Sequence, residues 1–113
     1  MRNYDYAPRQ FEGLILRSAF NGTATVVMSD CIWGVLDGIN ETGLAVSLAY
    51  GGRQPVGSGF AITVVLRYIL EFCGEVAEAV AVLRRVPIHV GYNVALLDRR
   101  GRHATVFVAP DRP

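Results

Sequence analysis

The dipeptide Asn21-Gly22 separates two runs of apolar and β-branched residues, and this pattern constrains the fold of the N-terminal half of the chain. The runs cover residues 13–20 and 23–29. An Asn-Gly link of two residues favours a type I′ turn, because both central residues need positive φ and Asn and Gly tolerate it best. The sequence therefore predicts an antiparallel β-hairpin at this point.

A second hairpin is predicted directly after the first. Residues 32–36 and 44–50 have strand composition, and the segment between them, Asp37 to Gly43, contains the turn residues Asn40 and Gly43. Two roles fit Asn40: closing the turn, or donating a hydrogen bond to a substrate oxygen. From this stretch alone, the turn role is favoured.

The hydrophobic period changes from two to that of a helix at Phe60. Thr63, Arg67 and Glu71 form one narrow polar stripe, which predicts a helix that is buried on its other sides, between a sheet and another layer. Gly74 ends this helix. A second helix is predicted from Glu75 to the residues before Pro87, with acidic residues in its first turn and Arg84 and Arg85 in its last.

The chain closes with a third hairpin, from strands at residues 92–97 and 103–109. The linking segment contains Arg99, Arg100 and Arg102, and a solvated turn is favoured over a phosphate site because no aromatic residues are interleaved. Before the helices, the glycine-rich loop 51–59 is interpreted as a connection rather than the border of a pocket. Strand hairpins, two helices and a further hairpin predict an α+β fold with an antiparallel sheet.

Composition narrows the classes of function. A chain of 113 residues with 51% hydrophobic residues is large enough for one domain. A net charge of +1 gives no electrostatic case for nucleic acid or an anionic membrane, and the most apolar window, 60–73, is too short to span a bilayer. Two states fit Cys31 and Cys73, a structural disulfide or two buried free thiols, and the free thiols are favoured because no feature of the sequence supports a disulfide. With His89 and His103 they have no metal-ligand spacing, so neither a metal nor another cofactor is predicted. The polar start of the chain is not a signal peptide, which predicts a cytoplasmic protein.

Several motifs occur in one order along the whole chain. They are Arg2-Asn3-Tyr4-Asp5, Trp33, Asp37-Gly38-Ile39-Asn40-Glu41-Thr42-Gly43-Leu44, Glu78-Ala79, Pro87, Asn93 and Leu97-Asp98-Arg99-Arg100-Gly101. Together they resemble the linear-amide C–N hydrolases of the N-terminal nucleophile class, which include choloylglycine hydrolases, penicillin V acylases and penicillin-side-chain acyltransferases. The acyltransferase branch is the more similar.

The resemblance implies an αββα sandwich and an autoproteolytic or processed enzyme whose N-terminal Cys attacks an amide to form a thioester. The α-amine of that Cys serves as the base. By resemblance, Arg2 lies beside the sulfur, Asp5 orients the α-amine, and Asn40 helps to form the oxyanion hole. Tyr4 and Trp33 are the substrate contacts that the same resemblance implies. The substrate is a small amide or acyl donor.

The chain departs from this family at its nucleophile. The family Cys precedes the Arg-Asn-x-Asp motif, and here that motif follows Met1 directly. The expectation is therefore that residues 1–113 form a single domain that is an incomplete part of a larger one, inactive alone. The apolar content also suggests a missing partner, which is either the remainder of the domain or a second subunit in a homo-oligomer. The alternative function is a non-catalytic remnant that acts as an interaction or oligomerisation domain.

Overall fold

The computed structural model describes residues 7–10, 12–52 and 55–112. After a short 3₁₀ turn at Pro8–Gln10, the chain forms six strands and two helices. The elements are β1 (Ile15–Ser18), β2 (Thr25–Asp30), β3 (Gly34–Asn40), β4 (Ala45–Tyr50), α1 (Ile62–Phe72), α2 (Val76–Arg85), β5 (Tyr92–Leu97) and β6 (His103–Val108). The predicted order of hairpins, helix pair and hairpin is confirmed.

All six strands form one antiparallel sheet whose spatial order, β1-β2-β3-β4-β5-β6, is the order of the chain. Helix α1 packs mainly on β3, and α2 packs on β5 and β6. Residues alternate along each strand, so one face of the sheet meets the helices and the other does not. The core lies between the sheet and the helices and includes Val27, Val46, Leu66, Ile69, Leu70, Val94 and Leu96. The predicted α+β class is confirmed.

Gly38 allows α1 to approach the middle of the sheet closely. A Cβ atom on Gly38 would lie 2.6 Å from Val27 Cγ1 and 2.9 Å from Leu70 Cδ1. Because real Cβ atoms do not approach other atoms so closely, any side chain here would push the helix away from β3. This contact fixes the height of α1 above the sheet.

The predicted boundaries of the second hairpin were wrong at its tip. Asp37, Gly38 and Ile39 pair with residues of both β2 and β4, so the strand continues to Asn40 and only residues 41–43 form the turn. Pairing on two sides outweighs the turn preference of Asp, Gly and Asn. Ile32 and Trp33, predicted as strand, instead lie in the turn before β3.

The predicted type I′ turn at Asn21-Gly22 was also wrong, although the hairpin is present. Within the described residues, Gly22 has φ +87° but Asn21 is not among the positive-φ residues, and Gly22 N donates to Ala19 O. Two consecutive non-glycine residues with positive φ occur elsewhere, at Cys31 (54°) and Ile32 (72°). No turn-forming residue in the sequence marks that position.

Helix α1 buries most of the predicted apolar residues, including Leu66, Ile69 and Leu70, but its polar stripe also faces inward. Arg67 is buried against the sheet, and Glu71 is largely buried beside it. Val64, Tyr68 and Phe72 face outward and are exposed. The polar stripe points inward because the sheet beneath it presents hydroxyl and carbonyl partners for the guanidinium group. In the described part of the chain, α1 is therefore covered on its sheet side and not by another layer.

Candidate functional site

The structure brings together few of the predicted site residues. Arg2, Tyr4 and Asp5 lie outside the described residues. Asn40 is the last residue of β3, and Trp33 immediately precedes the first residue of that strand. The two are therefore separated by the length of a seven-residue strand, about 20 Å. The roles predicted for these five residues stay predictions.

The Asn40 side chain is buried under the C-terminal end of α1. Its Nδ2 atom donates to Leu70 O at 2.9 Å and to Cys73 O at 2.8 Å. Its Oδ1 atom accepts from Leu44 N at 3.0 Å and from Thr42 Oγ1 at 2.7 Å. Both amide hydrogens therefore satisfy carbonyls that the end of a helix leaves unpaired. An oxyanion role requires one of these hydrogens to change partner.

The turn that carries Trp33 is strained and is held from two sides. Trp33 N donates to Cys31 O at 2.9 Å around Ile32, which has positive φ, as in a γ-turn. A β-branched residue with positive φ is an outlier that persists only where its surroundings impose it. Here the Glu12 carboxylate accepts from Ile32 N at 2.9 Å, and Arg67 Nε donates to Trp33 O at 2.8 Å.

Arg67 connects this turn to the first hairpin. Its Nη1 atom donates to Ser18 Oγ at 3.2 Å and to Thr25 Oγ1 at 3.1 Å, and the Glu71 carboxylate lies 3.8 Å from its Nε. Burial lowers the pKa of Arg67, and the Glu71 charge offsets part of that effect. Arginine stays protonated under these conditions. One buried cation thus joins α1 to β1, β2 and the Trp33 turn.

The sheet face opposite the helices carries apolar side chains together with polar ones, which include Arg17, Asn93, His103 and Thr105. We name this surface the open sheet face, defined by the exposed residues Ile15, Val26, Met28, Ile39 and Leu97. Asp37 is on the same face, next to Met28, and its Oδ1 accepts from Ser47 Oγ at 2.7 Å. Sequence reasoning missed this pair because it placed Asp37 in a turn. A register shift between β2 and β3 interrupts the period-two alternation at this point, so no local sequence signal marked the pair.

Neither cysteine has the environment of a nucleophile. Cys31 was predicted to be buried, but it is exposed in the strained turn. The pKa of Cys31 is raised, first by the Asp30 charge and further by burial and by Glu12. Cys73 is buried, and burial raises the pKa of its thiol to about 11. Since the thiolate is the reactive form, both side chains are poor nucleophiles at neutral pH.

The basic turn between β5 and β6 has a structural role that centres on Asp98. The buried Asp98 carboxylate accepts from Val76 N at the start of α2 and from the backbone N–H groups of Arg100 and Arg102. Arg102 also donates to Asp98 and pairs with Glu75. Burial raises the pKa of Asp98, but these backbone hydrogen bonds and the Arg102 charge outweigh it and lower the pKa overall. Arg100 and Arg102 are thus engaged in holding α2 to the sheet.

Residues 7–10, 12–52 and 55–112 contain neither a cluster of metal ligands nor a membrane-spanning helix. No three His, Cys, Asp or Glu side chains there lie close enough to hold a metal ion together. None of the helices in these ranges has the length and apolar character needed to cross a membrane.

Comparison with known families decides the affiliation. The family model described as acyl-coenzyme A:6-aminopenicillanic acid acyl-transferase matches residues 1–113. The chain belongs to this acyl-transferase family. The resemblance inferred from the motifs is therefore confirmed. Among curated proteins, none matches the sequence.

The acyl-transferase family fold is also found in a solved structure, the penicillin V acylase from Agrobacterium tumefaciens. The two chains superpose with a TM-score of 0.65 at 23% sequence identity. The match covers 88% of this chain and 37% of the acylase chain. At this identity the likeness shows the fold, a partial N-terminal nucleophile hydrolase sandwich of sheet and helices. This chain spans little more than a third of the acylase.

Proposed function

We propose that this chain is one sheet-and-helix part of an enzyme that cleaves or transfers the acyl group of a linear amide through a cysteine thioester. The nucleophilic Cys is supplied from outside the 113 residues, so the chain alone is inactive. Membership of the acyl-transferase family supports the acyl-transfer part of this proposal. The open sheet face is the observation that supports the other part of the proposal, that the chain is a portion of a larger enzyme.

The open sheet face supports the proposal because a sheet in this fold is covered on both sides. Ile15 pairs with Met28 across β1 and β2, and Val26 pairs with Ile39 across β2 and β3, so these apolar side chains form one continuous surface. Exposed patches of this kind mark an interface. In the proposed enzyme, a second sheet covers this surface and encloses the Asp37–Ser47 pair.

The thiol environments support the second part of the proposal. An N-terminal nucleophile needs a thiolate and an adjacent base, and the raised pKa values of Cys31 and Cys73 are opposite to that need. In the proposed reaction, the external thiolate attacks the amide carbonyl and the C–N bond breaks as the amine leaves with a proton. Water or a second amine then resolves the thioester.

The described residues contribute positioning to this reaction. Arg67 and Glu12 fix the turn that presents Trp33, the proposed substrate contact. Asn40 connects the β3–β4 hairpin to α1, and its proposed oxyanion role depends on releasing one helix carbonyl. Arg2 and Asp5 are proposed to serve the sulfur and the α-amine.

The test compares the 113-residue chain with a form extended upstream to include an in-frame Cys. We expect the extended form to hydrolyse a linear amide such as penicillin V, and substitution of the added Cys by Ala to abolish the reaction. Cys31→Ser and Cys73→Ser should leave this activity unchanged. Absence of thiol-dependent activity in the extended form contradicts the enzyme proposal. Activity of the 113-residue chain that Cys31→Ser removes contradicts the external nucleophile.

A second candidate function is a non-catalytic interaction domain. The observation in its favour is the exposed apolar side of α1, which includes Tyr68 and Phe72. The same assay separates the two functions, because an interaction domain has no amidase activity in any extended form.

A further inference from the structure

The outward side of α1 carries three apolar side chains at a spacing of four residues, and Phe60, just before the helix, adjoins them. We name this row the outer stripe; its members are Phe60 (57% exposed), Val64 (36%), Tyr68 (42%) and Phe72 (55%). The three helical members lie above one another over about 12 Å. The Tyr68 and Phe72 rings stack with their centroids 4.6 Å apart.

The outer stripe exposes more apolar surface than a solvated helix usually does. An aromatic side chain buries roughly 150–250 Å² when it is fully covered. With about half of each ring exposed, the three aromatic residues leave on the order of 300 Å² in water. A contiguous patch of that size is within the range of the largest apolar patch on a typical monomer, which is often functional.

One end of the outer stripe opens into an apolar groove. The groove has a volume of about 300 Å³ and is lined by Phe60, Val64, Val65, Tyr68, Arg85 and Val86. It therefore lies toward the N-terminal half of α1, where the C-terminal end of α2 adjoins it. Phe72, at the other end of the stripe, is an exposed ring of suitable size to enter such a groove.

We propose that the outer stripe is the dimer interface of this protein, with α1 of one copy packed antiparallel on α1 of a second copy. The four positions of the stripe are evenly spaced about Leu66, one residue from the middle of α1 at Arg67. A two-fold axis at the level of Leu66 places Phe72 of each copy over the groove beside Phe60 of the other. The same axis also brings Val64 of each copy against Tyr68 of the other. Such an interface is isologous, and it fills both grooves at once.

The charges of α2 favour a second copy as the occupant. Glu78 lies in the first turn of α2, and Arg84 and Arg85 lie in the last turn. The same two-fold axis reverses α2, so the acidic end of one copy faces the basic end of the other. Complementary charges at both ends select the antiparallel arrangement over the parallel one.

The experiment is sedimentation equilibrium of the 113-residue chain over a range of concentrations. We expect a reversible monomer–dimer equilibrium. Phe72→Asp should raise the dimer dissociation constant at least ~10-fold, because a buried aromatic anchor is replaced by a charge. The matched control is Ile39→Asp, which places the same charge on the open sheet face and should leave the constant unchanged. Circular dichroism confirms that each variant is folded.

A charge exchange tests the orientation. Glu78→Arg and Arg85→Glu should each weaken self-association, because each variant sets like charges opposite one another. An equimolar mixture of the two variants should dimerise as well as the wild type, because every charge then faces its opposite. This rescue cannot arise from a folding defect.

Three results overturn the proposal. They are a chain that is monomeric at every concentration, a dimer that Ile39→Asp disrupts and Phe72→Asp does not, and a mixture of charge variants that fails to associate. The proposed enzyme function does not depend on the outcome, since the outer stripe and the open sheet face are on opposite sides of the molecule.

Discussion

Replacing Asn40 with Ala tests whether the β3–β4 hairpin is held to α1 by a single carboxamide. The substitution removes four hydrogen bonds: two donated to Leu70 O and Cys73 O, and two accepted from Leu44 N and Thr42 Oγ1. A typical intramolecular hydrogen bond contributes about 1 kcal/mol net. Buried groups that lose their partner cost about 1–3 kcal/mol each.

We expect Asn40→Ala to lower the free energy of unfolding by about 3–5 kcal/mol, because Leu44 N and the two helix carbonyls lose a buried partner. This is a large part of the ~5–15 kcal/mol that stabilises a typical domain. The measurement is urea unfolding followed by far-UV circular dichroism, with the slope compared between variants. The exposed residue Thr42 gives the control: Thr42→Val removes only one of the four bonds and should cost about 1 kcal/mol.

Asn40→Asp sharpens the test because it keeps the size of the side chain. At neutral pH its carboxylate would face Leu70 O and Cys73 O, which are both acceptors, so the loss should be at least as large as for Ala. If Asn40→Ala unfolds within about 1 kcal/mol of the wild type, or no earlier than Thr42→Val, the carboxamide does not hold the hairpin. If an active, extended form with Asn40→Ala keeps its stability and loses only its catalytic rate, the oxyanion role is favoured instead.

Three further predictions concern packing and charge. Arg67→Met should destabilise the chain by about 3–5 kcal/mol in the same urea assay, because Glu71 loses its buried cation. The double variant Arg67→Met, Glu71→Gln should recover part of this loss. Equal losses of stability in the single and the double variant would contradict the pairing of Arg67 with Glu71. Gly38→Ala should cost about 1–3 kcal/mol through overpacking, whereas Gly74→Ala, whose added methyl group meets no atom within 3.7 Å, should be nearly neutral in the same measurement. The folded-state pKa of Asp98 is lowered, so its stabilisation is present above the unfolded pKa of about 3.9 and is lost as the pH falls through the folded value. Asp98→Asn should therefore flatten the acid limb of a stability–pH curve, and an unchanged limb would show that Asp98 is not its source.

The sequence predicted the number, type and order of the elements because each has a local signal. Alternating apolar residues predicted the strands, and the change of period at Phe60 predicted α1. The errors occur where tertiary contacts override those signals. Asp37 and Gly38 have turn character, yet hydrogen bonding to β2 and β4 keeps them in a strand.

Two other features had no local signal. The positive φ values of Cys31 and Ile32 are imposed by Glu12 and Arg67, which lie 20 and 34 residues from their hydrogen-bond partners in the turn. The inward orientation of Arg67 depends on hydroxyl groups of β1 and β2, which no helical periodicity reveals. The candidate site was predictable only in part for the same reason: the motifs name Asn40 and Trp33, but the distance between them follows from the extended length of β3.

The agreement between strand order and chain order has a consequence for folding kinetics. Four of the five strand pairings join neighbours through short links, and only β4 with β5 spans the long segment 51–91, which contains both helices. Closing that segment carries the largest loop-closure entropy in the sheet. We expect the β1–β4 meander and the β5–β6 hairpin to form early and their joining to limit the rate. Val26→Ala, inside the meander, should then lower stability mainly by slowing refolding, whereas Val46→Ala, at the β4–β5 junction, should divide its effect between slower refolding and faster unfolding. Stopped-flow refolding of the two variants measures the difference, and equal effects on the folding rate would place the barrier elsewhere.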